Sequence, residues 1–491
     1  MLRTLIALFA IGSVSVLAFG QKTSEWTTYL GGRFNDEPYA IAVGRDGAVH
    51  LVGTTRSPDF PTTNGAVRTA PPRTSQSGQG PSGQIRPEQY VGFLARLNAQ
   101  GEQLTYGTYV GGSVRDSVNS IAVDSEGAMY IGGMTDSPDF PVTANASQST
   151  FGGNDPRRGN TPGDGFVARL NRTGAMEFAT FLGGSSSDVV AAVAVNGDGY
   201  IYATGSTTST DFATEPPPSG SPDGFVVKID TCSGRIVWSL RLVGVGGTAP
   251  TGIAVTETGE VVVSGTRESS ANSEGRDGFA VAISTQGQLI RDLTFGGSGD
   301  ETVAGPAIGK DGSIYVAGAT SSIDLKTSQS GYQRNYQGGQ FDGYAVKLGA
   351  DSNTSFATYL GSEVYERVTG MAVDGTGRVH VAGDVTGVSS LQITIGAPAQ
   401  PRGASSELFY AVVGAAGTEV EYLSRHGGRS VAPGIFRVTR ESKIALGPDG
   451  DAYVVAMTTD DIVSSRGAYQ RDRAGGHELV VFRFSGATMK P

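Results

Sequence analysis

The chain of 491 residues contains one cysteine, Cys232, and four histidines. A lone thiol cannot close an intrachain disulfide, and no Cys/His cluster has the spacing of a metal site. There is no G-x-S-x-G elbow and no H-E-x-x-H pair, so two common hydrolase signatures are missing. Basic residues are outnumbered, 37 against 47 acidic, which makes the surface repel phosphate backbones and excludes nucleic acid as a partner. Glycine is plentiful at 73 residues but follows no G-X-Y period, which excludes collagen. Long apolar runs are absent beyond the first twenty residues. There, Arg3 precedes a largely apolar stretch, and Ala18-Phe19-Gly20 sets small residues before Gln21. Residues 1–20 read as a secretory signal peptide. Gly12, Ser13 and Ser15 interrupt them too much for a comfortable membrane span, a retained anchor being the alternative. The expected mature chain, 21–491, is a single exported domain with no transmembrane segment.

What is present is repetition. The phrases TYLGG (28–32), TYVGG (108–112) and TFLGG (180–184) each lead into an IAV-type strand, a Gly-closed turn, a VYVxG-type strand and a DGFVARL-type strand. Seven copies of each type can be aligned, all short, β-branched or aromatic, and bounded by Gly, Asp or Asn. A small sheet of this kind cannot bury both faces alone, so the units must stack on one another. The turns Asp46-Gly47, Glu126-Gly127, Asp198-Gly199, Asp311-Gly312 and Asp449-Gly450 supply the positive φ of a tight hairpin. Asn196–Gly199 has the look of a calcium loop, but recurrence at other hairpins favours a turn. The last copy has no fourth strand after FRFSG, whereas the mature N-terminus opens with one, SEWTTYLGG. The reading is therefore all-β: a seven-bladed β-propeller of four antiparallel strands per blade, closed when the N-terminal strand completes the last blade. An aromatic recurs in the fourth strands as Trp26, Tyr106, Phe178, Trp238, Phe356 and Tyr422, the fifth copy having none. Packing between blades is the expected role, a sugar platform the alternative.

The phrases IAVDSEGAMYIGGMTDSPDFP and DGFVARLN, with TYLGG, resemble the bacterial seven-bladed β-propeller repeat family, the SBBP repeats. The resemblance covers nearly all of residues 24–485. It is strongest in the first three copies, which share SPDFP (57–61), SPDFP (137–141) and STDFA (209–213), and weakest at RLVGVGG (241–247) and SRHGG (424–428). It implies an exported bacterial propeller. Its signature describes blade construction and implies no catalytic residues.

Function is sought where the repeats differ. The connections between second and third strands run to 35 residues (56–90), 30 (136–165), 17 (208–224), 11 (268–278), 23 (321–343), 23 (386–408) and 20 (459–478). Variable inserts on one face point to the face that meets ligands, and shortening them is expected to leave folding intact. The same face carries Asp36, Asp116, Asp188, Thr248, Glu301, Glu366 and Thr439, five residues before each first strand. Five of these seven are carboxylates and are the candidate ligand-binding residues. They either brace their own Gly-rich turns or meet a ligand or a calcium ion at the channel mouth. His50 and His380 replace a recurrent Tyr and read as packing residues. The expectation is an exported binding or scaffold module recognising a glycan or protein, with no cofactor required. The alternatives are a lyase or glycoside hydrolase using paired carboxylates, and a cell-surface structural protein.

Overall fold

The computed structural model describes residues 26–72, 90–153, 163–214, 222–242, 247–269, 275–349, 353–387, 389–394, 407–427, 442–459 and 461–486. They form seven four-stranded antiparallel sheets, each a meander in which consecutive strands pair. Blade 1 is Asp36–Val43, Val49–Thr55, Val91–Leu97 and Leu104–Val110, and blades 2 to 6 repeat this order. Blade 7 takes three strands from the C-terminal end and its fourth from the N-terminal end. Trp26–Leu30 pairs with Glu478–Phe484, Trp26 opposite Arg483 and Leu30 opposite Leu479. All five N-terminal strand residues are buried. The expected closure is met over residues 26–30; residues 24 and 25, Thr439 and the expected signal peptide lie outside the described residues.

The core lies between blades because each sheet has two apolar faces and neighbours only on either side. Leu51, Phe93 and Leu97 of blade 1 pack with Tyr453, Val455 and Val481 of blade 7 in one cluster. The recurrent fourth-strand aromatics seal these joints. Gly101 of blade 1 lies against the Trp26 ring, whose Nε1 donates to Ala99 O at 3.1 Å. Gly174 lies on Tyr106 in the same way, Gly287 on Trp238 and Gly417 on Phe356. Each of these glycines has positive φ at the hairpin of the following blade, so a side chain there would be both strained and blocked. Packing between blades is thus the role of these rings.

The innermost strands bulge at one repeated place, between Pro38 and Ala40 in blade 1 and at matching sites through blade 6. The bulge brings the Glu37 carbonyl over Gly53, and the equivalent carbonyls over Gly133, Gly205, Gly318 and Gly383. This is why the second strands of blades 1 to 6 carry glycine at this position, where blade 7 has Ala456: a methyl group would overlap the carbonyl.

Candidate functional site

The five predicted carboxylates all stand at the start of an innermost strand, and none is more than 2 % exposed. Asp36 accepts from Gly32 N at 2.8 Å, from Ser57 Oγ at 3.1 Å and from Thr55 Oγ1. Asp116 accepts from Gly112 N at 2.9 Å, Thr135 Oγ1 at 2.5 Å and Ser137 Oγ at 3.2 Å. Asp188 repeats the pattern with Gly184 N and Ser209 Oγ, and Glu301 with Thr320 Oγ1 and Ser322 Oγ. Glu366 is held by Ser362 and Ser389. The acids therefore brace the turn between blades, and no face of them is presented to the channel. Burial pushes Asp36, Asp116 and Glu301 up to about 7, and raises Asp188 and Glu366 as well.

A second set of acids escaped the sequence reading. Asp164, Asp223, Asp277, Asp342, Glu407 and Glu478 open the third strands, and each is buried. Their signal was the Asp before Gly in DGFVARL and its copies. Asp223 and Glu407 are neutralised by Arg241 and Arg425. The other four face the first-strand acid of the next blade, and the neighbouring charge adds to burial in raising one member of each pair: Asp36 beside Glu478, Asp164 beside Asp188, Glu301 beside Asp277, Asp342 beside Glu366. The first glycine of the Gly-Gly phrase lies between them. A methyl group on Gly31 would come 2.7 Å from Asp36 Oδ2 and 3.1 Å from Glu478 Oε1. Gly296 sits likewise between Glu301 and Asp277, and Gly111 sits against Asp116. The glycine lets two carboxyl groups close on the backbone at once.

The SPDFP phrase clamps the same junction. Ser57 Oγ accepts from Phe34 N at 2.9 Å and Asp59 Oδ1 from Arg33 N at 3.2 Å, while Phe60 packs on Phe93 with centroids 4.6 Å apart. Blades 2 and 3 repeat this with Ser137, Asp139 and Phe140, and with Ser209, Asp211 and Phe212.

The inserts that follow do not stay on the channel face. They run back along the outer edge of their own blade and bond its fourth strand. In blade 5, Ser328 N donates to Ala357 O at 2.9 Å, Tyr359 N to Gln333 O at 2.9 Å and Gly361 N to Gln333 Oε1 at 3.0 Å. Thr143 and Gln148 clasp blade 2, and Ser465 and Gln470 clasp blade 7. Thr63 and Arg68 do so in blade 1, and Thr394 in blade 6. Tyr109 OH anchors the clasp of blade 1 by donating to Ser57 O at 2.7 Å and accepting from Phe60 N. The expectation that shortening the inserts leaves folding intact is corrected here: in blades 1, 2, 5, 6 and 7 described residues of the insert are edge cover. Gln333→Ala should cost about 1 kcal/mol. It should also speed amide exchange at Gly361, whose N–H loses its acceptor, by roughly the same free energy, leaving Phe181 of blade 2 protected. Hydrogen-exchange spectroscopy checks this.

At the rim of blade 1 the Arg56 guanidinium stacks on Tyr90, 3.9 Å from its centroid, and Arg56 Nε has no acceptor among the described residues. Arg115 of blade 2, half exposed, pairs with Asp136 at 3.0 Å. His50 and His380 are buried, His380 Nδ1 lying 2.8 Å from Tyr410 OH, in keeping with packing roles. Among the described residues no group of three or more His, Cys, Asp or Glu is arranged to hold a metal ion. Cys232 is exposed.

Residues 105–141, from the fourth strand of blade 1 through SPDFP of blade 2, match the SBBP β-propeller repeat. No curated protein matches the chain. Among solved structures it is similar to a protein of unknown function from Dyadobacter fermentans, at 9 % identity, 94 % of this chain, 98 % of that chain and a TM-score of 0.42. It is also similar to the β-propeller domain of the trilobed protease from Pyrococcus furiosus, at 9 %, 93 %, 94 % and 0.41. The polysaccharide lyase Uly1 gives 9 %, 94 %, 98 % and 0.41. None of these likenesses carries an activity to this chain.

Proposed function

We propose that this seven-bladed propeller is an exported binding or scaffold module that recognises a glycan or protein ligand over blades 1 and 2. The carrying observation is insert length measured against the clasp. The 23-residue insert of blade 5 and the 20-residue insert of blade 7 are taken up by edge cover. Only blades 1 and 2, at 35 and 30 residues, have a clear excess, and it falls at 73–89 and 154–162. The excess is rich in Pro, Gly, Ser, Gln and Arg, and Tyr90, on which Arg56 stacks, follows the first part of it directly in sequence. Two adjacent blades with surplus chain and a stacked arginine suit recognition of a polar ligand. The hydrolase or lyase reading needs two accessible acids, and the five candidates are at most 2 % exposed.

Replacing 73–89 and 154–162 by short Gly-Ser links spares the clasps. The melting temperature is expected to stay within a few degrees, because loop length costs only about 0.6 kcal/mol per doubling. Binding to a glycan array, or to polysaccharide immobilised from bacterial envelopes, should fall at least tenfold. Unchanged binding by the shortened protein would move the site off blades 1 and 2.

A further inference from the structure

Blade 4 differs from the clasped blades. Its second and third strands, Val261–Glu268 and Arg276–Ile283, are joined by residues 269–275 alone. In blade 5 the clasp first touches the fourth strand at Ser328, eight residues past the strand end at Thr320, and finishes at Gln333. At seven residues, the blade 4 connection is shorter than the eight, 321–328, that blade 5 uses to reach its first clasp contact. The fourth strand, Leu289–Phe295, is accordingly open: Leu289 and Ile290 are each 51 % exposed, where the clasped strands are buried over most of their length. Among the described residues nothing bonds the outward N–H groups of Asp292 and Thr294 or the outward carbonyl of Asp292. The strand also lacks the clasp's receiving residues. The threonine of clasped strands (Thr28, Thr108, Thr180, Thr358) is Leu293, and the ring beside it (Tyr29, Tyr109, Phe181, Tyr359) is Thr294.

We propose that this edge is the interface between two copies of the chain, the two Leu289–Phe295 strands pairing antiparallel about Leu293. An uncovered strand with apolar residues is a template for another strand, and a second copy always brings an equal one. The charges exclude two registers. A two-fold centred on Asp292 sets two carboxylates face to face, and one centred on Arg291 sets two guanidinium groups face to face; both are repelled. Centred on Leu293, the pairing puts leucine against leucine, Asp292 opposite Thr294 of the other copy, and Arg291 opposite its Phe295. The outward groups of 292 and 294 then meet in four N–H···O bonds, as an antiparallel ladder requires. The result is one continuous eight-stranded sheet across two propellers.

Sedimentation velocity over a concentration series tests this, with two substitutions at the exposed Thr294 that leave the core alone. The parent is expected to show a monomer–dimer equilibrium. Thr294→Asp places two acid–acid pairs across the two-fold and should weaken the dimer by roughly tenfold, whereas Thr294→Lys faces Asp292 twice and should tighten it. Ile323→Asp, exposed on blade 5, should change nothing. A parent that stays monomeric at every concentration would overturn the proposal, showing that the edge is left to a foreign strand or to water. A dimer that responds equally to Thr294→Asp and Thr294→Lys would overturn it too, since the interface then lies elsewhere.

Discussion

Deleting residues 24–32 is expected to abolish the cooperative folding of the chain, or to lower its melting temperature by well over ten degrees. The segment holds Trp26, Tyr29 and Leu30, at 6 %, 1 % and 0 % exposure. Their burial is worth roughly 1.5–3 kcal/mol each, which together approaches the 5–15 kcal/mol of a whole domain's stability. The loss spreads, because Ser465 and Gln470 of the blade 7 clasp would have no strand to bond, and the Tyr29 hydroxyl would no longer donate to Ile462 O. Calorimetry of the truncated protein decides the matter, and a synthetic peptide spanning residues 22–32 should restore part of the transition. A truncated chain that melts like the parent would mean that the ring is held without its N-terminal strand.

Stability should also fall as pH rises from about 4 to about 7. Burial lifts Asp36, Asp116, Glu301 and Asp342 to about 7 and Asp164 to about 6, whereas the unfolded chain titrates near 4. Between these limits these acids hold more protons in the folded protein than in the unfolded one, and they outweigh buried His50 and His426, which burial lowers to about 3 and about 4 and which act in the opposite sense, so rising pH favours unfolding. The contribution is fully present below about pH 4, is lost as the pH passes through 7, and is flat beyond. Exposed acids such as Asp211 and Asp324 are shifted the other way by hydrogen bonds, and their effect falls below pH 4, outside this window. Melting temperatures from pH 4 to 8 should therefore decline, and Asp116→Asn should lessen the slope while raising stability at pH 8. Calcium should not move the curve if the acids serve only as braces. A slope unchanged by Asp116→Asn, or a calcium-dependent rise in melting temperature, would contradict the bracing assignment.

Much of this was legible in the chain. Period-two strands, residue-Gly turns and a fourth strand displaced to the N-terminus are local or countable features, and they suffice for seven blades and their closure. The aromatic at one fourth-strand position also read correctly, since a residue repeated in almost every unit must serve construction. The five acids were found by spacing, but spacing cannot report depth: only the closing of the Gly-Gly turn over Thr55, Ser57 and their counterparts takes the carboxyl groups out of water. The second acids, Asp164 to Glu478, were hidden in a strand phrase: Asp164, Asp277 and Asp342 each face an acid 24 residues further on, and that spacing becomes a contact only when two blades meet. The inserts misled most. Length variation looked like ligand recognition, yet in blades 1, 2, 5, 6 and 7 described residues of the insert lie along an edge that the unfolded chain does not have. The sequence determined which segments become strands and how many blades close the ring, because these follow from local periodicity and repeat count. Which acids are buried, which edges are covered and that the blade 4 edge is left open were decided by tertiary structure, because burial and pairing belong to surfaces that exist only once neighbouring blades have met.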